Sequence, residues 1–321
     1  MAVTIYTHHD AAGPGLNLTG NNLAKLLQIL VPCLVNGYSG KPAAGWTLAQ
    51  NISNGFTLAR PSGAAVNFTR TQQYGLMLYL MESLTSGAAS PPTGQNLRSL
   101  AYSASSNPGE TSRHWFYFLD SVAVKSWFVA ATADAFLLHV RFMDAVSDTS
   151  YQTSFTLFIG AAKLYSGLTG VQNMFALTGT SQPVTYVSNG ISNNVFCVGY
   201  TALRDPLTGA AITGAGLEVY AAPYNMQQFA TYYSPLPSAL PPVLRLQPLH
   251  MTYGGSYAGL VPGVLYDNIL GHFAPDAVMA ALGFTPSVEA WKSPKVINGQ
   301  NVWPIPTAWG LLFVTDDPGA W

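Results

Sequence analysis

His114-Trp-Phe-Tyr-Phe-Leu119, Lys125-Ser-Trp-Phe-Val129 and Ala135-Phe-Leu-Leu-His-Val140 are aromatic and β-branched runs that follow one another closely. Each run is strand-length, and Asp, Ser, Ala and Thr separate them as turns would. Ser154–Ile159, Thr185–Ser188 and Val195–Tyr200 continue in the same manner. No strand–helix alternation accompanies them, so a doubly wound parallel sheet is excluded. The expected class is mainly β with a few helices (α+β), an antiparallel sandwich or curled-sheet body.

Toward the N-terminus, Val3–Tyr6 reads as an opening strand and His8-His-Asp-Ala-Ala-Gly-Pro14 as a turn-rich break. Thr19 or Asn21 can then cap a helix near 21–35. Leu23, Leu26, Leu27, Leu30, Val31 and Leu34 recur at the spacing of one helical face. Pro32 should kink or end that helix, and Asn36-Gly37 is a stop signal. Gly45–Ala49, Gly55–Arg60 and Ala65–Arg70 are short β-type runs, Tyr74–Leu84 a buried strand, and Ser86–Gly94 a loop.

Toward the C-terminus, Tyr233–Pro248 holds Pro235, Pro237, Pro241, Pro242 and Pro248. So many missing amide donors predict an extended arm rather than a central strand or a helix. Ala274–Leu282 predicts a short helix, with Pro275 early and Gly283 past its end. Trp303 to Trp321 is apolar to its last residue and should be docked. The expected organisation is a β-rich body over 1–232, a Pro-rich arm over 233–248 and a C-terminal docking segment over 249–321.

Charge is the second informative quantity. The chain has 321 residues, and Asp, Glu, Lys and Arg make up 8% of them, against roughly 25% in an ordinary soluble domain. The net charge is −1. A polybasic nucleic-acid binder and an acidic solvating chain are both excluded. A monomer of 34.2 kDa exposes about 13,000 Å², so the charges fall at roughly one per 480 Å², threefold sparser than usual. So few charges suit a surface covered by copies of itself or by partners. No apolar stretch reaches the ~20 residues of a spanning helix, and no secretory signal opens the sequence. Two cysteines, Cys33 and Cys197, form neither a disulfide framework nor a zinc motif, and read as buried small hydrophobes.

The search for chemistry returns near misses. Neighbours in His8-His9-Asp10 would point to opposite faces of a strand and could not share one metal. Gly254-Gly-Ser-Tyr-Ala-Gly259 lacks the glycine at 258 that a nucleophile elbow needs, and reads as a glycine-rich loop. Asp316-Asp317 abut a turn, and Asp144 and Asp148 face water, so no acid pair suggests glycoside hydrolysis. No phosphate-cradling motif is present. The sequence predicts no catalytic, cofactor-binding or metal residues.

One set of motifs is familiar. Val3-Thr-Ile-Tyr6, His9-Asp-Ala-Ala-Gly-Pro14, Cys33-Leu-Val-Asn-Gly-Tyr38 and Lys41-Pro-Ala-Ala-Gly-Trp-Thr47 together resemble the start of a group of virion structural proteins of tailed bacteriophages. The resemblance runs over residues 3–60 and brings no catalytic residues with it. It implies a non-enzymatic subunit, made in the host bacterial cytoplasm and ending in the virion. The place would be the tail, tail tip or neck, or a decoration layer on the capsid. Its partners would be copies of itself and other virion proteins, with no direct nucleic acid and no membrane. Pro235, Pro237, Pro241, Pro242, Trp303, Trp309 and Trp321 are the expected contact residues, and truncation near Pro304 is expected to abolish assembly. The alternative is a module that binds a host-surface glycan or receptor through aromatics such as Trp115 and Trp127, or, less favoured, an enzyme that degrades a surface polymer.

Overall fold

The computed structural model describes residues 2–72, 75–88, 92–99, 115–117, 120, 123–142, 154–180, 199–212, 219–220, 244–253, 256–267, 270, 273, 275–285, 291–307 and 310–321. Within them the chain is a β-rich α+β protein built of antiparallel sheets. A central sheet runs in the order β1 (Thr4–Thr7), β10 (Ser126–Ala131), β11 (Ala135–Arg141), β12 (Ser154–Ala161), β14 (Met174–Thr180) and β15 (Gly199–Ala202). One outer sheet orders β2 (Thr47–Ile52), β3 (Gly55–Ala59), β4 (Ala65–Gln72) and β5 (Gly75–Met81), with β8 (Arg98–Ser99) and β9 (Trp115–Tyr117) both paired to β5. The hairpin β6 (Ser83–Ser86) and β7 (Thr93–Gln95) follows it. The other outer sheet, C-terminal in sequence, orders β16 (Val219–Tyr220), β17 (Gln247–Tyr253), β18 (Ser256–Tyr266), β21 (Gly310–Thr315), β20 (Gln300–Thr307) and β19 (Lys295–Ile297). A short β13 (Lys163–Leu164) leaves the central sheet to pair with β18.

The first aromatic run supplies β9 of the outer sheet. The second and third are strands of the central sheet, which is covered on both faces. Every residue of β10 and β11 is buried. Alternate side chains enter different cores, as the two-residue period of a strand requires. Trp127, Val129, Phe136, Leu138 and Val140 join a core with the N-terminal helix and the first outer sheet. Phe128, Ala130 and Leu137 join a second core with the C-terminal sheet and its short helix. Each fully buried side chain of this size contributes about 1.5–3 kcal/mol of transfer free energy.

Helix α1 (Asn22–Val31) is capped by the Asn21 side chain, which accepts from the Ala24 amide at 2.9 Å. Pro32 does not break it; the last turn widens into a π-helical segment, Pro32–Asn36. The displaced carbonyls find new donors, Ala44 N–H on Cys33 and Gly45 and Trp46 N–H on Leu34. Gly37, at φ 68°, ends the segment. Helix α2 (Pro275–Ala281) packs Val278 and Met279 into the second core.

Two readings are corrected in the C-terminal half. The glycine-rich stretch before Gly259 is no loop from Ser256 onward, because β18 begins there. Gly259 is required by close approach: a Cβ there would strike the Lys163 carbonyl of β13. Pro248, counted with the arm, lies in β17 opposite Leu265. The rest of the expected arm, including Pro235, Pro237, Pro241 and Pro242, lies outside the described residues, as do Thr185–Ser188 and Trp309.

Candidate interaction surface

Several chemistry-bearing side chains in the described residues are engaged in holding the layers together. Asp10 accepts from the Thr7 amide at 3.0 Å and the Tyr38 hydroxyl at 2.6 Å, and pairs with Lys41 at 3.4 Å. The His8 and His9 rings lie 3.9 Å apart. They are not on opposite faces as expected, because both belong to the turn after β1 rather than to the strand. His8 Nδ1 sits 3.4 Å from the Trp127 carbonyl. Burial first, and the Asp10 charge second, push the Cys33 thiol far above its ordinary value, so it is a buried hydrophobe rather than a nucleophile. Cys197 is outside the described residues.

Ion pairs tie elements together in the same way. Arg204 on the loop after β15 donates to Glu82 beyond β5, and Asn96 donates to both Glu82 and the Leu203 carbonyl. The Arg204 bond is the main reason that the Glu82 carboxyl lies below its ordinary range. Arg70 reaches Asp120 at 2.6 Å, and Asp120 also accepts the Asn22 amide of α1 at 2.7 Å. Within the first outer sheet, Asn67 donates to Gln50, Thr57 and the Phe56 carbonyl, all buried. Among the described residues, no group of three or more His, Cys, Asp or Glu is placed to hold a metal ion.

Two of the expected contact tryptophans, Trp303 and Trp321, make contacts within the chain. Trp303 is 6% exposed and packs toward Phe128 of the central sheet, so within the chain it is a core residue. Truncation near Pro304 would remove β21 from the middle of the C-terminal sheet, so lost assembly would report unfolding. Trp321 is half-buried and donates its indole N–H to the Thr315 carbonyl at 2.7 Å. Its ring lies where a Cβ on Gly263 would stand. The Gly263 amide donates to the Ala320 carbonyl at 2.9 Å, and Lys163 Nζ to the Gly319 carbonyl at 2.6 Å. The last residues are thus a strap over an irregularity in β18, where pairing jumps from Pro248–Leu265 to His250–Leu260. Trp127 is fully buried, its indole N–H directed at the Gly15 carbonyl, which removes it from any glycan-binding surface. The Trp115 side chain is outside the described residues.

What is left at the surface is elsewhere. Leu16, Tyr165, Leu207, Tyr257 and Val296 are the exposed large apolar residues among those described. Three rings gather on the C-terminal sheet: Tyr165 just after β13, His250 on β17 and Tyr257 on β18. The Tyr165 hydroxyl and His250 Nδ1 are 2.8 Å apart. The His250 and Tyr257 rings meet edge to face, with centroids 5.5 Å apart. Leu207 lies on the neighbouring loop, whose Pro206 carbonyl accepts from Ser166 at 2.7 Å. The sequence did not single these residues out, since 17 tyrosines carry no spacing that separates surface from core.

Compared with known proteins, the chain matches no family model and no curated protein. No helix among the described residues is long and apolar enough to cross a membrane.

Proposed function

We propose that the chain is a non-enzymatic structural subunit of a tailed-bacteriophage virion. It would assemble by symmetric protein–protein contacts in the tail, tail tip or neck, or as a capsid decoration protein. Copies of itself and other virion proteins would be its partners. The observation that carries this reading is the sparsity of surface charge. The folded chain exposes 12962 Å². Of its 27 charged residues (13 Lys plus Arg, 14 Asp plus Glu), Lys25, Arg60, Glu82, Arg141 and Asp267 are buried. At most 22 therefore remain outside, one per about 590 Å², sparser than the sequence alone predicted. A surface with so little charge and a net charge near zero associates readily.

A sheet edge that no described strand pairs with offers one contact. β19 is a three-residue edge strand whose Val296 is 70% exposed. Native mass spectrometry at micromolar concentration is the test. A closed oligomer or an assembling ladder is expected, and a clean monomer of 34.2 kDa would overturn self-assembly.

A further inference from the structure

Tyr165 and Tyr257 are the two exposed aromatic residues among those described, at 55% and 69% exposure, and both touch His250. We propose that Tyr165, His250 and Tyr257 form a platform that binds a ring of a neutral saccharide. Three observations carry this, none of which depends on the assembly reading.

The first is rigidity. The Tyr165 hydroxyl is held at 2.8 Å from His250 Nδ1, and the Tyr257 ring packs edge to face against the same imidazole. Rings fixed in advance lose little rotamer freedom when a ligand arrives. The second is size. At about 200 Å² per tyrosine, the two exposed fractions sum to roughly 250 Å². A stable subunit contact needs about 800 Å² from each partner. The two rings alone fall far short of a subunit contact and are scaled to one or two sugar rings. The third is charge. Among the described residues, two nearby ionic groups are turned to local work: Lys163 donates to the Gly319 carbonyl, and Asp205 accepts the Leu207 and Thr208 amides. An uncharged ligand suits such a face. A pyranose presents a C–H face and a rim of hydroxyls, and tyrosine offers the matching pair, an apolar ring and a polar tip.

The test is saturation-transfer NMR on the whole protein with a panel of cellohexaose, maltohexaose and the hexamer of N-acetylglucosamine. At least one should receive saturation at its ring protons. Its Kd should be on the order of millimolar, as for a ligand of about a dozen contacting heavy atoms. Tyr257→Ala and Tyr165→Ala should each weaken binding tenfold or more. Tyr257→Phe should keep it within about threefold, and Leu16→Ala should leave it unchanged. An unaltered methyl spectrum certifies that each variant is folded. No transfer from any of the three sugars would overturn the proposal, as would binding that survives both alanine variants. If no sugar binds and Tyr257→Ala lowers the native oligomer mass, the face belongs to a subunit contact and the saccharide proposal fails.

Discussion

His139 is fully buried in the central sheet, with Nδ1 2.8 Å from the Thr156 hydroxyl and its ring edge-on to Trp291. Burial first, and the charge of Arg141 two residues along β11 second, hold its pKa well below the ordinary 6.5. From α2, Asp276 pairs with that arginine at 3.8 Å. The unfolded chain takes up a proton below about pH 6.5, and the folded chain does not. Stability is therefore full above that pH and falls as pH drops toward the folded pKa. The slope from this one group is at most about 1.4 kcal/mol per pH unit. Urea midpoints measured from pH 7.5 to 5 should fall, and His139→Gln should remove that part of the slope even though it lowers stability throughout. An unchanged slope in the variant would assign the acid sensitivity to other groups. Cys33 gives a second check at this scale. In a Cys197→Ser background, its thiol should react with a disulfide reagent only as fast as the protein opens. Reaction in the dead time would contradict its burial.

Among elements, those with a strong local pattern were legible and those with contradictory punctuation were not. The helix could be read from its leucine spacing and Asn21, and β10 and β11 from runs that stay apolar on both parities because both faces are covered. β20 could not be read, because Pro304 and Pro306 argue against a strand. They are tolerated because they share the parity of Val302, whose outer partner is Lys295, and β19 pairs no further than Val302 on that side. No described strand there asks for the missing amides, and the Pro304 carbonyl is taken by the Trp291 indole at 2.6 Å. The π-widening after Pro32 was equally hidden, since it depends on donors from residues 44–46. The exposed rings were illegible for a related reason, because burial of a tyrosine is decided by neighbours distant in sequence. The strap over β18 carries its own prediction. Gly263 has φ 69°, and Trp321 occupies the place of its Cβ. Gly263→Ala should cost about 1–3 kcal/mol and let carboxypeptidase trim the tail faster than in the parent. Equal trimming would mean that the strap does not depend on that contact.

For the whole molecule, the same charge count that supports assembly also fixes how the assembly should respond to salt. Contacts built from apolar and main-chain groups are not screened by ions. Contacts between exposed charges are screened, over a Debye length of about 10 Å at roughly 0.1 M salt. If the chain assembles as proposed, its oligomer should keep its mass by light scattering between 50 and 500 mM sodium chloride. Val296→Asp, which puts a charge on the open edge, should lower that mass while the monomer stays folded. Dissociation on adding salt would show that the few surface charges carry the contacts after all.

The central sheet also dictates a timetable. Its first edge strand, β1, pairs residue by residue with β10, Thr7 opposite Phe128 and Thr4 opposite Ala131. A ribosome adding ~5–20 residues per second makes the partner roughly 6–25 s after the strand itself. During that wait α1 and the first outer sheet have emerged, but the surface meant to cover them has not. The leucine face of the helix then has only β2–β5 to lie against. Synthesis thus passes through an interval in which half a core is open to water, and that interval is where a nascent-chain chaperone would be needed most.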